Sequence, residues 1–378
     1  MICLPGIKCY KFFDTNWDFF VCLFMTTSSV LDLSEGKLTR VSFVLIPRFN
    51  MMTLTMLMEP MRIANYLAPH KLYEWDFRAA SAEPISASNG LTVACQNFDE
   101  SSLPNPDIII VCGSWGAEHL NDQRLIRWLR KHARTPAQMI AVELGIFAFA
   151  KAGIITNQKV TTHWSMMAGL SEAYSELDVV EQLYLVERPV MTCAGGTAGL
   201  DLMLHIVGNR NGDRLAAEIA NQVMHHPRRP PDTPQRYITG EKYSDVHHEV
   251  RAAMMLLEGR IEDPTPVPRV CQELGVSQRK LERLFKRDVG CTIVQYSNLL
   301  RLQYARVLLS STRMSIREVS AACGFNSMSY FSQSFFETFG KKPSEYRHAW
   351  PADDASPSWP GTVYSFLQNA RKKAGKRR

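Results

Sequence analysis

The chain of 378 residues contains no Cys-x-x-Cys pair, and its nine cysteines follow no metal-ligand spacing. That argues against a zinc-finger or zinc-ribbon module, and no metal or other cofactor is expected. The odd count leaves at least one thiol unpaired within the chain. Buried thiols in a reducing cytoplasm are expected, not a disulfide scaffold. Long apolar runs are also missing. The apolar stretch at residues 17–25 is well short of the roughly 20 residues that span a bilayer, and no small-residue cleavage site follows a basic start. No membrane association and no secretory leader are expected. Residues 1–37 fit no element pattern and read as an irregular extension, with Met25 or a later residue as a candidate start.

What is present suffices for two domains with real cores, since 46% of the residues are hydrophobic. Charge is unevenly spread. The net charge is +6, yet residues 241–378 alone carry 22 basic and 14 acidic side chains. Six of the basic ones fall in the last eight residues, and the segment 266–347 still carries about +7. A basic module joined to a near-neutral one suits a polyanion-binding domain attached to something else.

The basic part contains two helix-turn-helix patterns, at 267–286 and 315–339. In the second, Ser315 and Glu318 have capping-box spacing, a tight turn falls at Gly324, and a helix begins at Ser327. Phe331, Phe335 and Phe339 recur at four-residue steps and must face a core. Asn326, Ser327, Met328, Ser329, Ser332 and Gln333 then face outward and read DNA by hydroxyl, amide and apolar contacts more than by charge. In the first unit the turn is Leu274-Gly275-Val276-Ser277, with Ser277 a natural N-cap. Leu281, Leu284 and Phe285 share one face. Gln278, Arg279, Lys280, Arg283 and Lys286 remain for phosphates or base edges, unless they form only the solvated side of an ordinary helix. A helix over 298–309, carrying Arg301 and Arg306, joins the units, and Arg301 is counted with the phosphate contacts. The reading helices begin 50 residues apart, so a rigid joint places them in successive major grooves about 34 Å apart.

Residues 247–347 resemble the AraC/XylS-type DNA-binding domain over nearly its whole length. The resemblance rests on Leu281-Glu282-Arg283-Leu284-Phe285-Lys286, Gly290, Tyr296, Arg301-Leu302, Ala305, Leu308-Leu309, Gly324-Phe325, Phe331-Ser332, Phe335, Phe339-Gly340, Pro343 and Tyr346-Arg347. Two positions depart from it: Ile293 stands where the family often has Pro, and Ser320 where it has Ala. The resemblance implies an all-α domain of two helix-turn-helix subdomains, and a regulator, commonly an activator, that brings double-stranded promoter DNA and RNA polymerase together.

Upstream, strand patterns at 41–46, 73–80, 107–112, 138–142 and near 159–162 alternate with helical patterns at 51–67, 120–132, 144–152, from 165, and at 197–207. A hairpin is expected over 181–193. This alternation predicts an α/β domain over 38–224, with a parallel, flavodoxin-like sheet and helices on both faces. The proline-rich stretch 225–240 reads as a linker to the all-α domain at 241–348, and 349–378 as a disordered basic tail.

Residues 41–208 resemble the class I glutamine amidotransferase-like (ThiJ/PfpI-type) domain, above all the version fused to AraC-type domains in GlxA-like regulators. The matching segments are Glu59-Pro60-x-Arg62-x-Ala64-Asn65, Tyr73-x-Trp75, Cys112-Gly113, residues 145–153, Thr161-Thr162-His163-Trp164, Ala194-Gly195-Gly196-Thr197-Ala198, Asp201 and Leu204-His205. Enzymatic relatives place a cysteine at the elbow between a strand and the next helix. Here the elbow aligns with Glu143, and no residue from 140 to 147 is Cys or Ser. His163, at the partner position, has no thiol to activate. The resemblance therefore implies no catalytic residue and a sensor retained on an enzyme scaffold.

Ligands of open α/β sheets sit at strand carboxyl ends. Glu59, Cys112, Ser114, Trp115, Glu143, His163, Trp164 and Thr192 are the candidates there. Carboxylates beside Trp rings suit a small cationic or zwitterionic effector. Several fusions of this kind sense arginine or quaternary amines such as glycine betaine and carnitine. Plainer roles stand beside these: Glu59 pairing with Arg62 one turn away, Trp164 in a core, and His163 as a structural histidine. A homodimer is expected. The competing reading is a cysteine hydrolase or amidase fused to a DNA-binding domain; a third is a scaffold that only dimerises.

Overall fold

The computed structural model describes residues 37–80, 82–98, 105–235, 247–258, 260–261 and 265–348. The expected N-terminal extension and basic tail lie outside the described residues, apart from Lys37, as do residues 236–246 around the linker's end. The first domain runs β1 (Thr39–Leu45), α1 (Met51–Leu67), β2 (Tyr73–Ala79), β3 (Ile85–Ser86), β4 (Thr92–Val93), β5 (Gln96–Asn97), β6 (Ile108–Gly113) and α2 (Gln123–His132). It continues with β7 (Gln138–Glu143), α3 (Ile146–Lys151), β8 (Lys159–Val160), α4 (Met167–Ala173), β9 (Asp178–Val179), β10 (Tyr184–Leu185), β11 (Val190–Cys193), α5 (Ala198–Asn211) and α6 (Asp213–Gln222).

The main sheet has strand order β10-β11-β7-β6-β1-β2-β5, with every neighbouring pair parallel except the β10–β11 hairpin. The β-branched run of β6 is buried throughout, as a central strand covered on both faces requires. Alternate residues divide between the two faces. Val41, Phe43, Ile108, Ile110, Ile140 and Val142 pack with α1, α5 and α6. Val44, Ile109, Val111, Met139 and Ala141 pack with α2, α3 and α4. The strand expected near residue 160 does form, but β8 pairs with β9 in a separate two-stranded sheet. The chain turns from building one half of the sheet to the other between β1 and β6, so the carboxyl ends of β1, β6 and β7 open at the switch point.

The second domain comprises α7 (His248–Glu258), α8 (Val267–Glu273), α9 (Gln278–Asp288), α10 (Ile293–Ser311), α11 (Ile316–Ala322), α12 (Met328–Phe339) and α13 (Pro343–His348). Helix α10 belongs to two cores. Ile293, Tyr296 and Leu300 pack with α7, α8 and α9, whereas Leu302, Ala305, Leu308 and Leu309 pack with α11, α12 and α13. The joint between the two units is thus one continuous helix, longer than the 298–309 expected. Capping boxes start α10, at Thr292 and Gln295, and α11, at Ser315 and Glu318. Helix α10 also touches the first domain: it contacts α4, and Val307 packs against the core cluster under α2 and α3.

Candidate ligand site and DNA interface

Strand β7 ends at Glu143, whose φ of 51° lies in the left-handed region. A non-glycine residue held there costs on the order of 1–3 kcal/mol and persists only where its surroundings enforce it. Two glycines enforce it. A Cβ on Gly145 would collide with the carbonyl oxygen of Val111, and one on Gly195 (φ 90°) would collide with the Glu143 side chain itself. This is a strand–turn–helix elbow that presents a side chain above the sheet, and here that side chain is a carboxyl.

The Glu143 side chain is buried, at 4% exposure. Its Oε1 accepts from Asn50 Nδ2 at 3.0 Å and, in a short bond, from the Thr53 hydroxyl. Thr53 Oγ1 in turn accepts from the Gly196 amide at 2.7 Å. Asn50 also caps α1, so the carboxyl lies at the positive end of that helix. Burial raises the Glu143 pKa above the usual carboxylate range, against the hydrogen bonds from Thr53, Ser114, Asn50 and Gly196. Among the described residues no Lys, Arg or His forms an ion pair with Glu143.

The register sets Cys112 and Cys193 on either side of Val142, one residue from the elbow. Both thiols are buried. Desolvation, reinforced by the Glu143 charge, pushes the Cys193 pKa up to about 12 and moves Cys112 the same way. A raised pKa disfavours the thiolate, the form in which a cysteine attacks.

The structure brings Cys112, Ser114 and Glu143 together at the ends of β6 and β7, with the half-buried Trp115 in the following turn. His163 and Trp164 join them through Thr162, whose hydroxyl donates to the Glu143 carbonyl at 2.8 Å. His163 Nδ1 lies 2.8 Å from Ser165 Oγ and caps a short 3-10 turn, so it does have a structural task. Trp164 is 44% exposed and is no core residue. Glu59 does not join the group: it pairs with Arg62 at 2.7 Å on α1. Thr192 is fully buried, its hydroxyl accepting from the Thr161 amide at 2.9 Å.

The linker does not leave the domain freely. Buried Asp201 on α5 is held from three directions: His225 Nε2 at 2.7 Å, the Arg229 amide at 3.0 Å and the Arg229 guanidinium at 2.6 Å. Further on, Gln235 Nε2 donates to the carbonyls of Thr162 and Gln182, both at 2.8 Å, and Gln235 Oε1 accepts from the Trp164 amide at 2.7 Å. Thr162 therefore touches the elbow with its hydroxyl and the linker with its carbonyl.

In the helical domain, Gly275 (φ 63°) and Gly324 (φ 69°) supply the two turns. Ser277, Gln278, Arg279, Lys280, Arg283 and Lys286 are all exposed along α9 while Leu281, Leu284 and Phe285 are buried, as the spacing predicted. Lys280 pairs with Glu249 at 2.7 Å, and Gln278 hydrogen-bonds Glu282. Asn326, Ser327, Met328, Ser329 and Gln333 are exposed around α12, and Ser332 is half-buried. Phe331 and Phe335 are fully buried, and the Phe339 ring packs tilted against Phe335 at 4.6 Å between centroids. Arg301 is placed differently from its expected phosphate role. Its guanidinium is half-buried and donates to the carbonyls of Cys323 and Gly324.

Two family models match this chain: the DJ-1/PfpI family over residues 39–209 and a helix-turn-helix domain over residues 270–349. The HTH-type transcriptional regulator GbdR of Pseudomonas aeruginosa is 31% identical over 311 residues, covering 82% of this chain and 84% of that protein. The regulator CdhR of the same organism is 32% identical, covering 84% and 94%. The regulator GlxA of Rhizobium meliloti is 29% identical, covering 82% and 95%. The chain belongs to this family of HTH-type transcriptional regulators.

As a member of the family it joins an AraC-type DNA-binding domain to a DJ-1/PfpI domain, an architecture consistent with a metabolite-responsive DNA-binding regulator. Among its described residues no helix is long and apolar enough to cross a membrane. Sequence reasoning missed Asn50, Thr53, Thr162 and Gln235. The first carried a usable signal, an Asn directly before a helical pattern. The other three act through side chains whose partners lie 19 or more positions away, which no spacing encodes.

Proposed function

We propose that this regulator is a cytoplasmic homodimer whose DJ-1/PfpI domain is catalytically silent and binds a small cationic or zwitterionic metabolite beside Glu143. The observation that carries the reading is the elbow itself: a buried carboxyl in a strained backbone position, with neutral donors around it among the described residues. A buried carboxylate without a counter-ion is costly, and a ligand cation supplies one. Trp115 in the turn after β6 and Trp164 beside His163 carry rings that suit an ammonium or guanidinium group. Hydrolase chemistry finds no support, because the elbow offers no nucleophile and both neighbouring thiols are held protonated.

The signal would leave through Thr162. A ligand that displaces Glu143 or His163 shifts the 161–166 segment, which Gln235 ties to the linker and which leads into α4, the helix that meets α10. Effector binding then changes how the two reading helices are offered to promoter half-sites, and as an activator the protein recruits RNA polymerase. A ligand can shift that equilibrium only by its difference in affinity for the two states.

The test is calorimetry on the full-length protein with amino acids, betaines and carnitine. Binding that strengthens as pH rises through the raised pKa of Glu143, and that is lost in Glu143→Gln, supports the site. No binding by any of these compounds overturns it. A cysteine-directed acyl probe that labels wild type but not Cys112→Ala or Cys193→Ala would revive the hydrolase.

A further inference from the structure

We propose that Arg301 is a positioning residue for the second reading helix, and that Tyr330, held through Asn298, is a specificity-determining side chain of that helix. The inference stands on DNA binding and not on the ligand reading. The last carbonyls of a helix have no partners within it. Backbone amides of the turn fill those of α11 at Val319, Ser320 and Ala321, and Arg301 fills the next two: its Nε donates to Cys323 O at 2.7 Å and its Nη2 to Gly324 O. The guanidinium also lies 3.9 Å over the ring of Phe325, which packs on Phe331 at 5.2 Å and Tyr330 at 6.1 Å. One side chain of α10 thereby fixes the turn from which α12 emerges.

The same arginine reaches further. Its Nη1 lies 3.3 Å from Asn298 Oδ1, and Asn298 Nδ2 donates to the Tyr330 hydroxyl at 2.8 Å. Tyr330 is the third residue of α12 and is 51% exposed, in the N-terminal turn that contacts base edges in helix-turn-helix complexes. A phenol that accepts from Asn298 keeps its own proton. It can donate that proton to a major-groove acceptor such as purine N7, guanine O6 or thymine O4. The network fixes the direction of that donor before DNA arrives, which lowers the ordering cost of the contact.

The test uses the full-length chain and a duplex that wild type selects from a randomised library, read by footprinting, by affinity and by base preference at each position. Arg301→Lys keeps the charge but not the planar fork. Its affinity should fall at least as far as that of Arg301→Gln, with protection lost over the second groove. Tyr330→Phe and Asn298→Ala should keep the wild-type melting temperature. Each should relax preference at the same base pair by about fivefold, the double variant adding nothing beyond either single. Wild-type affinity in Arg301→Lys would make Arg301 a plain phosphate contact. Unchanged base preference in Tyr330→Phe, or no second-groove protection by wild type, would overturn the reading role.

Discussion

The two domains place the charge at their candidate sites differently. In the DJ-1/PfpI domain, charged groups lie inside: Glu143 at the elbow, Glu118 under the loop after β6, Asp201 beneath the linker and the Asp76–Arg78 pair on β2. In the helical domain, the basic groups of α9 lie outside, on the face opposite the core. Coulomb interactions are strong where water is excluded and weak where it is not. Buried charge makes the first domain sensitive to one added or removed charge, the scale of a small metabolite. Exposed charge makes the second domain sensitive to a polyanion and to salt, with little effect on its own stability.

Substitutions in each domain test this contrast. The largest effect should come from Arg229→Met. It leaves Asp201, whose side chain is 1% exposed, with His225 and one amide, and should cost about 3 kcal/mol in chemical denaturation. Next is Glu118. Burial pushes its pKa up to about 7, so the native state holds the proton more tightly than the unfolded chain does. That stability is present below the unfolded value near 4.5 and is lost as pH rises through about 7. Glu118→Gln should match wild type near pH 4 and exceed it by about 3 kcal/mol above pH 8. Arg279→Ala on the exposed face should leave stability within about 0.5 kcal/mol of wild type, while DNA affinity falls and the salt slope drops by about one. If its loss is equal on all sequences, Arg279 touches only phosphate. The smallest effect should be Ser320→Ala. The Ser320 hydroxyl is buried with no hydrogen-bond partner among the described residues, so removing it should be neutral or stabilising by up to about 1 kcal/mol in thermal unfolding.

Ser320 also marks what the sequence could reveal. It was visible as a departure from the AraC pattern, but only packing shows that its hydroxyl lacks a partner. Repeating patterns carried most of the fold: β6 from its isoleucines, α12 from Phe331, Phe335 and Phe339, and the turns from Gly275 and Gly324. Glu143 was legible as the elbow because the family resemblance aligns it directly after the 138–142 strand. Glu59 and Arg301 were read towards ligand and phosphate because a side chain's chemistry says nothing of its direction. Glu59 finds Arg62 within its own helix, and Arg301 turns inward to the carbonyls of Cys323 and Gly324 in the turn after α11. Gln235 lay in a stretch that read as plain linker. Its contacts depend on residues 53 and more positions away, which no local pattern records.

The most direct test of the account is fluorescence anisotropy of a selected duplex titrated with full-length protein, with and without the tightest-binding compound from the calorimetry. The compound should change DNA affinity in wild type, and Glu143→Gln should bind DNA but no longer respond. An equal response in Glu143→Gln would contradict it, because the effector would then act without the carboxyl at the elbow.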